Sequence, residues 1–144
     1  MVGMGILQPV VVLAAWTMVM WAWMYGTRIP AMLAAKVDPD TLANDPDVTL
    51  DKVLAPQVQW KAHNYNHLHE APTVFYTIAI VLAIIGEGDG INATLGWAYV
   101  ALRVIHSLVQ ATVNKVTLRF TIFVLSSLVL IALILHAAMA LFHS

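Results

Sequence analysis

The chain has 144 residues, 60% of them hydrophobic and 10% charged, where a typical soluble domain carries roughly 25% charge. So few charges do not cover a soluble globule of this size, and a net charge of −1 leaves no basic stripe for nucleic acid. Cysteine is absent, which excludes a disulfide framework, a thiolate metal site and a cysteine nucleophile.

The first element is a membrane span over about residues 6–27. Met1 to Thr27 carries no formal charge, and Ile6 to Gly26 alone is long enough to cross ~30 Å of hydrocarbon as a helix. No Lys or Arg precedes it, and the run exceeds the roughly 7–15 residues of a signal-peptide core, so it reads as a retained span. Trp21, Trp23 and Tyr25 suit the interfacial belt, with Arg28 and Pro30 beyond them. Residues 28–55 form a polar loop containing Asp38, Asp40, Asp45, Asp47 and Asp51. Its two Asp-Pro-Asp triplets read as caps followed by first-turn prolines; a calcium loop would need a glycine at its bend, and none is present.

A second helix is expected over 56–86, opened by Pro56 and ~45 Å long. Its first half is polar and Ala71 to Ile85 is apolar, so it rises from the aqueous side into the membrane. The glycine-rich run Gly86-Glu87-Gly88-Asp89-Gly90 makes a tight turn. Further spans follow over about 91–114 and 118–142. Arg28, Lys36, Lys52 and Lys61 lie between spans one and two, and Lys115 and Arg119 between spans three and four. The excess of Lys and Arg places loops 28–55 and around 115 in the cytoplasm and both termini on the other side. The expected fold is therefore all-α and integral to the membrane: one domain over 1–144, a four-transmembrane-helix up-down bundle.

Polar residues inside such a bundle are costly and must face inward. At ~100° per residue, Tyr99, Arg103, His106, Ser107, Gln110 and Asn114 fall within an arc of about 100°, with Thr112 opposite. Arg103 lies roughly half-way across its span, where an unpartnered charge costs ~2.5–3.5 kcal/mol or more. On the second helix, His63, Asn66, His67 and Glu70 make one stripe at i, i+3, i+4 and i+7. Glu70 is the acidic residue near membrane depth, placed to meet Arg103, a cationic ligand group, or both. A structural ion pair fixing helix register is the plainer reading, and it leaves His106, Gln110, Asn114 and Arg119 unexplained.

Two further readings come from spacing. His63 and His67 with Glu70 have metal-ligand spacing, but a fourth ligand is missing unless His106 supplies it. A haem shared by His106 and His136 is disfavoured, because at ~1.5 Å per residue they differ in depth by more than about 10 Å. Arg119, at the start of the fourth span, is either an interfacial anchor or a stabiliser of an anion or thiolate.

Taken together, these residues resemble the MAPEG family, the membrane-associated proteins in eicosanoid and glutathione metabolism. Arg103-Val104-Ile105-His106, then Gln110, then Arg119-Phe120 match the family's Arg-x-x-His motif and its later arginine. Lys61-Ala62-His63 through Asn66, Glu70 and Pro72 is similar to its second-helix signature, and Arg28 to a basic residue after the first span. The resemblance implies a homotrimer with glutathione as cosubstrate held between subunits, and an apolar small-molecule electrophile or lipid hydroperoxide arriving from the bilayer. It implies that Arg119 is catalytic, stabilising the thiolate. It further implies that Glu70, Asn66, His67, Arg103, His106, Gln110 and Arg28 bind the cosubstrate, with Glu70 taking its amino group. The chain departs from the family pattern where Gln110 stands in place of a tyrosine and Lys61 in place of an arginine. Asn66 is four residues before Glu70 rather than three, and Pro72 two residues after it rather than four. The expected activity is a glutathione-dependent transferase or peroxidase in a multi-pass membrane protein, of the inner membrane in a bacterium. The alternatives are a non-catalytic membrane subunit or lipid-binding module of the same fold and a histidine-metal membrane enzyme.

Overall fold

A computed structural model of the protein describes residues 3–34 and 55–142, so the Asp-Pro-Asp stretch lies outside the described residues. The described elements are all helices: α1 Leu7–Ala34, α2 Pro56–His67, α3 Ala71–Ile84, α4 Ile91–Thr112 and α5 Val116–Phe142. Leu7–Ala34, Pro56–Ile84 and Val116–Phe142 are long and apolar enough to cross a membrane. Helix α4 is not among them; Asn92, Arg103, His106 and Gln110 dilute its apolar content.

Two helix boundaries differ from the sequence expectation. Helix α1 runs through Pro30 to Ala34 rather than stopping near residue 27. The second expected helix is broken: α2 ends at His67, α3 begins at Ala71, and Glu70 between them has φ −95° and ψ −99°. Pro72 is the cause. It has no N–H to give the carbonyl of Leu68, and its ring would clash there, so the chain restarts with proline in the first turn of α3. The restart is pinned by Thr73, whose N–H donates to the Glu70 carbonyl (3.1 Å) and whose hydroxyl donates to that of His69 (2.7 Å).

Helix α4 is the hub: its most extensive packing is against α5, and it also packs on α2 and α1. Its buried face is Asn92, Gly96, Tyr99, Val100, Arg103, His106, Ser107, Gln110 and Ala111. By contrast α1 buries only Pro9, Leu13, Thr17, Met20 and Met24, and α5 only Ile122, Ser126, Leu130, Leu133 and Ala137. Each is a narrow stripe, while Val11, Met18, Leu128 and Phe120 stand exposed around them. An apolar outside over a partly polar inside suits hydrocarbon rather than water as the surrounding medium.

Helices α1 and α4 approach closely where α4 has Gly96. A Cβ there would meet Ile6 at 3.0 Å and Pro9 at 3.1 Å. At that same end the chain start is stitched to the 83–89 turn by backbone bonds: Gly3 N–H to the Ala83 carbonyl (2.8 Å) and Ile6 N–H to that of Gly88 (2.8 Å). The carboxylate of Asp89 adds a bond from Gly5 N–H at 2.9 Å. Asn92 closes the end, donating to the Glu87 carbonyl (2.7 Å) and sharing a 2.6 Å bond with Nδ1 of His136 on α5. Midway along α4, Phe75 and Tyr99 stack with ring centroids 4.5 Å apart.

Candidate functional site

The break between α2 and α3 creates the site. Where a continuous helix would occupy the His67 carbonyl with the N–H of residue 71, it here accepts from Glu70 N–H at 3.1 Å and from Arg103 Nη2 at 3.4 Å. The buried guanidinium of Arg103 thus caps the end of α2. Glu70, on the break, turns its carboxylate to His67 Nδ1 at 3.2 Å. Among the described residues the side-chain partner of Glu70 is His67, and the Glu70–Arg103 pairing that the sequence left open is not formed. The reason is the break: it swings Glu70 out of the stripe that a straight helix would present to α4, leaving its side chain 67% exposed.

One turn along α4 from Arg103, His106 lies with its ring centroid 6.5 Å from that of His67 and 6.4 Å from that of Phe123. The seam between α2 and α4 is fixed by Ser107, whose hydroxyl donates to Oδ1 of buried Asn64 at 2.8 Å. Below it, Lys61 Nζ donates to the Ala111 carbonyl at 3.3 Å while lying 4.9 Å above the ring of Trp23. At the α4–α5 turn, Asn114 adopts a left-handed backbone (φ 54°) and its Oδ1 accepts from Arg119 Nη1 at 2.7 Å.

These pieces enclose a cavity of about 260 Å³ lined by His67, Glu70, His106, Val116, Arg119, Phe120 and Phe123. One wall is polar and can hold an anion or an ammonium; the other is aromatic and apolar. The cavity brings together Glu70, His67, His106 and Arg119 from the sequence-predicted set. Arg103 lies behind its wall through the His67 carbonyl. Gln110 is buried on α4 but does not line the cavity, and its Oε1 has no partner among the described residues. Asn66 is exposed and does not line the cavity. Arg28 is half-buried on α1, donating to Gln59 Oε1 at 3.3 Å, and also lies outside the cavity. Among the described residues no three His, Asp or Glu side chains come together as metal ligands.

Sequence reasoning missed Asn64, Gln59 and the aromatic wall. The stripe expected on α2 (His63, Asn66, His67, Glu70) leaves His63, Asn66 and Glu70 exposed, and Gln59, Asn64 and Leu68 are buried instead. The wall was findable: Val116, Phe120 and Phe123 lie on the same side of α5 as Arg119, at one-turn spacings.

A model of the MAPEG family matches residues 6–139, which takes in α1 to α4, all but the last turn of α5 and every residue of the cavity. No curated protein and no solved structure matches the chain.

Proposed function

The chain belongs to the MAPEG family, and from that premise we propose that it is a glutathione-dependent transferase or peroxidase acting on apolar electrophiles or lipid hydroperoxides dissolved in the membrane. In this reading α4 also crosses the membrane, as the third of four spans, and the protein is a homotrimer with the basic loops in the cytoplasm. The observation that carries the reading is the two-sided cavity, with Glu70, His67, His106 and Arg119 facing Val116, Phe120 and Phe123. Glutathione needs a carboxylate for its ammonium, a cation for its thiolate or carboxylates, and an apolar approach for its reaction partner. Glu70 supplies the first, Arg119 the second and the phenylalanine wall the third. At about 260 Å³ the cavity is just below the ~300–1,000 Å³ usual for small-molecule sites, so a tripeptide would fill it and extend outward to a neighbouring chain.

The chemistry asked of the protein is modest. A free thiol is a weak nucleophile at neutral pH; the thiolate is the reactive form, and a guanidinium beside it favours ionisation. Arg119 stabilises the thiolate as the proton leaves to water. The sulfur then attacks the electrophilic carbon and the leaving group departs with the bonding pair. Arg103 takes no part in these steps. It holds the His67 carbonyl and so the wall from which Glu70 reaches the ligand, and the polar wall orients the tripeptide before reaction.

The test is direct. Purified protein is mixed with glutathione, thiolate absorbance is followed, and conjugation to chlorodinitrobenzene is measured beside it. The expected result is thiolate formation at millimolar glutathione or below, with Arg119→Ala reducing it about a hundredfold, as for loss of a charge-stabilising donor. No thiolate in the wild type, or none lost in Arg119→Ala, would refute the assignment and leave the lipid-binding reading.

A further inference from the structure

We propose that Asn114 is a positioning residue that aims Arg119 into the cavity while leaving its charge unneutralised, an inference that rests on the glutathione reading above. Arg119 occupies the first turn of α5, and the positive end of a helix is an unfavourable place for a cation. Its side chain is long and rotamer-rich, so without a fixed acceptor it would sample directions away from the cavity. Among the described residues no carboxylate lies within ion-pairing distance of it. The acceptor is the neutral amide oxygen of Asn114, 2.7 Å from Nη1.

The backbone explains how this acceptor is held. Asn114 ends α4: its N–H closes on the Val109 carbonyl at 2.6 Å, and its φ of 54° lies in the left-handed region, which asparagine tolerates better than other residues bearing a side chain. That conformation reverses the chain between α4 and α5 and brings Oδ1 to the guanidinium five residues on. A carboxylate at this position would hold Arg119 as firmly but cancel the field that an anionic sulfur requires. A glycine would make the same turn but supply no acceptor. Asparagine combines the turn, the aim and a neutral charge.

The experiment compares wild type, Asn114→Gly and Asn114→Asp in two measurements. One is the pH dependence of thiolate formation from glutathione; the other is the rate at which phenylglyoxal modifies Arg119, read from the peptide mass. Asn114→Gly keeps the positive φ, so thermal unfolding is expected to match wild type. In that variant thiolate formation should fall about tenfold, its pH midpoint should rise by about one unit, and Arg119 should be modified several-fold faster. Asn114→Asp should keep Arg119 protected and still raise the pH midpoint, because the guanidinium is now paired. In an Arg119→Ala background, Asn114→Gly should change nothing further. An Asn114→Gly protein with unchanged thiolate formation and unchanged modification, or with a loss of equal size in the Arg119→Ala background, would overturn the proposal. A wild type that forms no thiolate would refute the glutathione reading alone; faster phenylglyoxal modification in Asn114→Gly would still support the positioning role, and an unchanged rate would overturn it.

Discussion

Replacing Arg103 by methionine separates the two roles open to a buried charge. If Arg103 were half of a structural ion pair, removing it would strand its partner and cost about 3–5 kcal/mol. The structure gives a different sum. Arg103 makes one long bond, 3.4 Å, to a carbonyl that keeps a second donor in Glu70 N–H, so nothing is orphaned when the guanidinium goes. The loss is at the weak end of a charged hydrogen bond, about 1.5 kcal/mol. Against it stands relief of a charge held in the span, worth ~2.5–3.5 kcal/mol on insertion scales. Methionine fills the space with a flexible apolar chain. Arg103→Met should therefore unfold with a free energy about 1–2 kcal/mol higher than wild type, while glutathione binding weakens because the His67 wall is no longer held. The assay is unfolding in mixed micelles followed by tryptophan fluorescence, with Trp16 and Trp23 packed against the core as reporters, beside a glutathione titration. A drop in stability of 3 kcal/mol or more with binding intact would instead assign Arg103 a structural role.

Two other perturbations test the frame around the site. Ser107→Ala removes the donor to Asn64, whose Nδ2 already lacks a partner, and should cost about 1–2 kcal/mol; adding Asn64→Leu should recover most of it, and a double-mutant cycle measures the coupling. Phe75→Ala leaves a cavity of ~100 Å³ beside Tyr99, and since transfer into lipid removes the solvation contribution, packing and stacking alone predict a loss of about 3 kcal/mol, checked by the same unfolding titration.

The membrane-embedded helical fold was legible because the sequence contains its two determinants, apolar length and the angular placement of polar residues. On α4 the expected arc is the buried face for Tyr99, Arg103, His106, Ser107 and Gln110, with Thr112 opposite them exposed; Asn114, expected in the same arc, lies beyond the helix end and is half-buried. Helix periodicity suffices there because no proline interrupts it. On the second helix the same arithmetic failed, since counting continued through Pro72 as if the chain were straight. The steric conflict of that proline with the Leu68 carbonyl was present in the sequence, and applying it would have divided the helix and detached Glu70 from the stripe. Asn64 and Gln59 were not legible by any local rule. Which side of α2 is inside depends on where α1 and α4 lie, and that is settled by packing across the bundle. Of the cavity lining, chemistry singled out Glu70, His67, His106 and Arg119, whereas Val116, Phe120 and Phe123 are marked only by their one-turn spacing around Arg119.

The stitching of residues 3–6 to the 83–89 turn has a consequence for how the protein is made. Those backbone bonds join Gly3 and Ile6 to partners translated some eighty positions later, so α1 enters the membrane before that docking surface exists. During synthesis α1 has α2 as its first packing partner, and this end of the bundle closes only once α3 and its following turn have been inserted. Closure by so long a loop is slow relative to insertion of individual helices. A chain stalled before residue 83 would thus leave the Gly96-facing side of α1 uncovered, a surface open to quality-control proteases.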